Sequence, residues 1–215
     1  MSDPALVEYY AQRACEYERI YQKPERQAEL AEISRLLAIT FANRRVIEIA
    51  CGTGYWTGIL ALTARHVTAI DLNEPMLELA RAKNLPASRV QFLRGDAFDP
   101  GAIPGEFDAG FAGFWWSHVP RQRLPEFVRG FHAKLQANSV VVLIDNQYVE
   151  GNSTPISRRD NIGNTFQQRR LEDGRAFEVL KNFPADEEIR HVLRDTAALS
   201  IQRLRHYWCA IYRKV

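Results

Sequence analysis

The stretch Val46-Ile47-Glu48-Ile49-Ala50-Cys51-Gly52-Thr53-Gly54-Tyr55-Trp56-Thr57 sets an apolar run and a carboxylate ahead of two glycines one residue apart, and then opens a helical pattern. Glycine has no Cβ and takes positive φ easily, so a ligand can lie directly against the main chain at such a turn. The helix that follows supplies unpaired N–H groups and a partial positive charge. A nucleotide-like ligand carrying a carboxylate or a phosphate suits that combination. Further along, Asp71 and Asp96 each stand where an apolar run ends, and Phe114-Trp115-Trp116-Ser117-His118 and Asp145-Asn146 follow two later runs.

Spacing separates two kinds of ligand. A G-x-G-x-x-G dinucleotide site needs a third glycine so that helix and strand can pack closely. In this register the three places are Gly52, Gly54 and Thr57, so that glycine is missing. Glu48 lies four residues before Gly52. A carboxylate there repels a pyrophosphate and attracts an ammonium group. The expected ligand is therefore a nucleoside that carries an amine.

These residues need a scaffold that brings successive strand ends to one rim. Two helical patterns open the chain, from about Leu6 to Tyr21 and from about Glu25 to Phe41, with Pro24 in the first turn of the second. Short strand and helix patterns then alternate. Strands are predicted at Arg45 to Ala50, His66 to Leu72, Val90 to Leu93, Phe107 to Gly113 and Ser139 to Ile144. Between them lie a helix from Tyr55 to Ala64, one capped by Asn73, and an amphipathic one marked by Leu124, Phe127, Val128, Phe131 and Leu135. Such alternation predicts an α/β fold, a parallel sheet covered by helices on both faces. Ligands in such sheets bind beyond the carboxyl ends of the strands. That rule gathers Glu48 to Gly54, Asp71, Asp96, Phe114 to His118 and Asp145 to Asn146 along one edge. After Asn146 come a polar loop, a β-hairpin from Thr165 to Leu180 around Asp173-Gly174, a helix from about Ala185 to Leu199, and two closing strands.

From Val46 to Ile144 this succession resembles the class I S-adenosylmethionine-dependent methyltransferases of small-molecule type. Glu48 to Gly54 is similar to their first motif, with Ala50 where glycine is often found. The resemblance implies S-adenosyl-L-methionine as cofactor, with Gly52 and Gly54 against its methionine part and Glu48 on its ammonium, directly or through water. It implies Asp71 on both ribose hydroxyls, Leu72 on the adenine, Asp96 on the adenine amino group, Ala97 donating a backbone N–H and Phe98 packing nearby. Ala50, Trp56 and Phe114 complete the expected cofactor contacts. A Rossmann-like, doubly wound, mostly parallel seven-stranded sheet in the order 3-2-1-4-5-7-6 follows from the same resemblance, with its last strand antiparallel.

On the acceptor side, the loop carrying Trp116 and His118 is expected to face the methyl group. His118 could take a proton from an acceptor hydroxyl or amine, since an ordinary imidazole titrates near 6.5. Methyl transfer from a sulfonium is an in-line displacement, so positioning and desolvation carry most of it, and a base is needed only where the acceptor must lose a proton. The expected acceptor lining is Tyr9, Tyr10, Tyr17, Trp116, His118, Asn146, Tyr148 and Arg159. Asp145-Asn146 invites comparison with magnesium-binding catechol-type relatives. Those need a carboxylate after the fourth strand, where Trp116-Ser117-His118 stands here, so no metal is expected.

Composition sets the outer bounds. At 215 residues the chain is expected to form one domain: a helical cap over 1–42, a cofactor-binding core over 43–145, a lid loop and hairpin over 146–182, and a closing helix and strands over 183–215. With 28 basic and 26 acidic residues the net charge is only +2, which directs no strong field at nucleic acid or an anionic membrane. A small-molecule acceptor is the expected partner. The three scattered cysteines, the lack of a signal-like N-terminus and the lack of a long apolar run point to the cytoplasm. A non-catalytic cofactor-binding protein, a nucleic-acid methyltransferase and a nicotinamide oxidoreductase stay open as other readings.

Overall fold

The strand ends do meet along one rim in the computed structural model, which describes residues 4–215. Two helices open the chain, Pro4–Arg13 (α1) and Gln27–Thr40 (α2), joined by short 3-10 turns. Next come Arg45–Ile49 (β1), Tyr55–Leu60 (α3), His66–Asp71 (β2), Glu74–Ala82 (α4), Val90–Arg94 (β3) and Phe107–Gly113 (β4). Leu124–Ala133 (α5) and Leu135–Asn146 (β5) complete the alternating part. Arg158–Arg159 (β6), Thr165–Arg170 (β7) and Ala176–Leu180 (β8) form a small antiparallel sheet. Asp186–Val192 (α6), Thr196–Arg203 (β9) and Tyr207–Lys214 (β10) finish it.

The main sheet has seven strands in the order β3-β2-β1-β4-β5-β10-β9. Pairing is parallel from β3 through β5, and β10 runs antiparallel to both β5 and β9. With the hairpin strands set aside, this is the order expected from the resemblance. Alternation along β5 shows why two layers of helix are needed: Val141 and Leu143 face one core, while Val140, Val142 and Ile144 face the other. The amphipathic face of α5, with Phe127 and Phe131, closes the first core. Gly110 of β4 makes room for it, since a Cβ there would meet the Phe131 ring at 2.6 Å.

Three elements differ from their expected form. The first helix breaks at Arg13, and Ala14–Tyr21 continues as a 3-10 helix. Asn73 precedes α4 but makes no side-chain cap; its Nδ2 instead donates to the Val7 carbonyl of α1 at 2.7 Å. The closing helix ends at Val192, and the Ala197-Ala198-Leu199 stretch that reads as helical lies in the edge strand β9, where the pairing with β10 shifts register. Ladder bonds between β9 and β10 outweigh the helical preference of these three residues. No helix among the described residues is long and apolar enough to cross a membrane.

Candidate active site

The glycine turn after β1 is built around three positive φ angles, at Ala50 (53°), Gly52 (55°) and Gly54 (74°). Gly54 is fixed by packing as well as by φ: an added Cβ would stand 3.1 Å from Ala80 of α4 and 3.2 Å from Phe92 of β3. Ala50 holds the left-handed conformation without the freedom of glycine, as does Phe114 (φ 60°) beyond β4. Both line the same cavity. Strained backbone gathered at one cavity marks a functional site.

Asp71, at the end of β2, ties that turn to the next. Its Oδ2 accepts from Gly52 N and its Oδ1 from Asn73 N, both at 2.8 Å. Burial pushes its carboxyl above the ordinary range, against the backbone donors of Asn73, Gly52 and Leu72. The cavity beside it is lined by Ala50, Gly52, Asp71, Leu72, Ala97 and Phe114, all expected at the cofactor. Leu6 and Val7 of α1 and Met76 of α4 add apolar walls, and Gly95 and Trp115 complete the strand-end side.

Tyr10, Tyr17, Phe114 and His118 also line a second cavity, so these four stand where the two spaces meet. His118 Nδ1 lies 2.8 Å from the Leu180 carbonyl, which can only accept, so the proton sits on Nδ1. The Tyr10 hydroxyl then donates to Nε2 at 2.8 Å. Burial, reinforced by the Lys181 ammonium, brings the imidazole pKa down to about 3, against Asp145 and the Leu180 contact. Burial also lifts the Tyr10 phenol well above its ordinary value. The pair is therefore neutral near pH 7, with the histidine lone pair engaged by Tyr10.

Behind this junction Asp145 is wholly buried. Its Oδ2 accepts from Ser117 N (2.8 Å), and its Oδ1 from Ser117 Oγ (2.9 Å) and Lys181 Nζ (3.1 Å). Burial opposes the carboxylate, yet Lys181 and the backbone donors of Ser117 and Asn146 hold its pKa below the ordinary value. No group of three or more metal-ligating side chains occurs among the described residues.

Several expected site residues sit elsewhere. Glu48 is buried beneath the turn and lines neither cavity; Thr57 Oγ1 donates to its Oε2 at 2.6 Å, and burial lifts its pKa to about 8. Trp56 packs among Tyr21, Tyr55 and Phe111, and Phe98 against Trp115 and Phe127. Trp116 is turned into the core against Trp208, so the indole beside the cofactor cavity is that of Trp115. Asp96 points back to Phe98 N (3.0 Å), while its neighbours Gly95 and Ala97 line the cavity. Asn146 lines the second cavity, Tyr148 packs behind it on Phe183, Tyr9 is buried against Phe177, and Arg159 is exposed on β6. Gly54 shapes the turn without lining either space.

Sequence reasoning missed Arg13, Arg26, Arg169 and Lys181, all of which line the second cavity. One signal was available: the period of two along β7 puts Gln167 and Arg169 on one face.

Known proteins agree with this geometry. Residues 46–138 match the family described as a methyltransferase domain. A demethylmenaquinone methyltransferase of Clavibacter sepedonicus is 37% identical over 90 residues, which is 41% of this chain and 37% of that protein. One from Staphylococcus aureus (strain JH9) is 22% identical over 171 residues, 74% of this chain and 69% of that protein. Among solved structures, the DhpI–SAM–HEP complex is 28% identical with a TM-score of 0.78, covering 99% of this chain and 100% of that one. The PH0226 protein from Pyrococcus horikoshii OT3 shares the fold at 17% identity, with a TM-score of 0.73 and coverage of 93% and 99%. Domain match over residues 46–138, strand order and the cavity at the glycine turn are those of the class I S-adenosylmethionine-dependent methyltransferases.

Proposed function

We propose that the chain methylates a small-molecule acceptor held in the second cavity, with S-adenosylmethionine seated in the first. The observation that carries this is the junction: the two spaces share Tyr10, Tyr17, Phe114 and His118 and no others among their lining residues. The residues present fit the cofactor. Asp71 presents two carboxylate oxygens at the cavity wall, a bidentate acceptor that suits a pair of vicinal ribose hydroxyls. Gly52 presents bare backbone to the cavity, and Leu72 and Met76 offer apolar surface to a base. The 28% identical DhpI complexes, with SAH and with SAM, support the same occupant.

When bound, the cofactor supplies an electrophilic methyl on a sulfonium. The chain's part is to orient and to exclude water. Leu6, Val7 and Tyr10 of α1 cover the first cavity, and the Asn73 contact to Val7 fastens that cover to α4. With Nε2 engaged by Tyr10 and its pKa near 3, His118 is better suited to fixing Tyr10 at the junction than to taking a proton. Three free cysteines, two of them buried, accord with the reducing cytoplasm in which we place the protein.

Calorimetry with S-adenosylhomocysteine tests the cofactor placement. Asp71→Ala should weaken binding by about 1.5–3 kcal/mol, the value of charge-assisted hydrogen bonds. Asp71→Asn, which keeps one of the two acceptor oxygens the turn uses, should lose affinity with less effect on folding than Asp71→Ala. Unchanged affinity in both would show that Asp71 does not hold the ribose.

A further inference from the structure

We propose that the acceptor is an oxyanion, a phosphonate, phosphate or carboxylate group, held by Arg13, Lys23, Arg26, Arg169 and Lys181 in the second cavity and methylated directly on oxygen. The inference rests on the methyltransferase reading and names the substrate class of that same site.

Five cationic side chains line this cavity and no aspartate or glutamate does. Lys181 is matched by Asp145 behind it, at 3.1 Å. The other four have no ion-pair partner among the described residues. Each arginine spends a donor on a neutral oxygen: Arg13 Nη1 on Tyr9 Oη (3.0 Å), Arg26 Nη2 on Asn152 Oδ1 (2.9 Å) and Arg169 Nη2 on Gln167 Oε1 (2.6 Å). A guanidinium carries five N–H donors, so most of each fork stays available. Glu25, which feels the charges of Lys23 and Arg26, is exposed outside the cavity and accepts from Asn152 Nδ2 at 3.2 Å.

Arg121, Arg158, Arg175 and Arg203 each pair with a carboxylate. Half-buried like charges crowded without a counter-ion are costly, and an anionic ligand removes that cost. Arg169 bears its mark, since burial, then Arg13 and Arg26, depress its pKa against the nearby phenols. Arginine forks match carboxylate and phosphate oxygens two at a time.

An oxyanion also explains why no free base stands at the junction. Its oxygen is already deprotonated at neutral pH, so the O–C bond forms from an oxygen lone pair while the S–C bond breaks and its electrons remain on sulfur. No proton moves. The acceptor loses one negative charge and becomes an ester, so the same cations hold product less tightly than substrate and release it.

The test uses the full chain saturated with S-adenosylhomocysteine, titrated calorimetrically with phenylphosphonate, benzoate and neutral benzyl alcohol. At least one oxyanion should bind and the alcohol should not; which oxyanion binds more tightly separates tetrahedral from planar acceptors. Arg26→Gln and Arg169→Gln should each weaken that binding by about tenfold, the worth of one charge-assisted contact, and leave S-adenosylhomocysteine affinity within about twofold. Arg169→Lys, which keeps the charge, should recover part of the loss. Absence of oxyanion binding, or binding indifferent to both arginines, would overturn the inference while S-adenosylhomocysteine binding preserves the methyltransferase reading. Failure to bind S-adenosylhomocysteine at all would reject both.

Discussion

Glu48 and Asp71 are both carboxylates at strand ends, and their surroundings set them different tasks. Asp71 opens onto the cofactor cavity and accepts two backbone N–H groups. Glu48 lies beneath the turn, bonded by Thr57, with a pKa raised to about 8 by burial first and then by the Asp71 charge, against Thr57. An acid whose folded pKa lies above its unfolded value of 4.5 stabilises the fold fully below that value and loses the contribution as pH rises towards 8. His118 acts below this range: its folded pKa of about 3 costs stability only as pH falls under about 6.5. Between pH 6.5 and 8, wild type should therefore lose about 2 kcal/mol in urea unfolding that Glu48→Gln does not lose. Parallel profiles for the two proteins would contradict a protonated Glu48. Sequence placed Glu48 correctly at the end of β1, but the direction of its side chain depends on Thr57, nine residues on in the first turn of α3, which spacing alone did not expose.

At the scale of elements, the hairpin is the part that completes the second cavity. Its β8 end docks on the turn after β4: Asn182 N donates to the Ser117 carbonyl (2.8 Å), and His118 Nδ1 to the Leu180 carbonyl. Buried Asn182 accepts from Thr165 N (2.9 Å) and donates to Val119 O and Asn164 Oδ1 (3.1 Å each). Asn182→Ala would strand those backbone groups without partners. A loss of about 2–3 kcal/mol in urea unfolding is expected, with faster proteolytic cleavage in the loop 150–163. A change under about 0.5 kcal/mol would mean the hairpin is held by other contacts. The hairpin itself was legible from Asp173-Gly174 and its alternating flanks. Its docking was not, because the partners of residues 180–182 lie some sixty positions back, at residues 117–119.

Across the whole molecule, parallel pairing from β3 to β5 brings the ends of β1, β2, β3 and β4 to one rim, and the N-terminal helix closes over it. That rim was readable because each strand end carries its own local mark: Gly52 and Gly54, Asp71, Asp96-Ala97, Phe114 to His118. The acceptor space was less readable, since Arg13, Arg26, Arg169 and Lys181 come from segments distant in the chain and look singly like ordinary surface charges. The most direct test of the account is thermal unfolding with S-adenosylhomocysteine and, separately, with NAD. At about one hundred times its dissociation constant, S-adenosylhomocysteine should stabilise by about 2.7 kcal/mol, a rise of about 5–10 °C in Tm for a chain of this size, with no shift from NAD. No shift with S-adenosylhomocysteine, or an equal one with NAD, would contradict it.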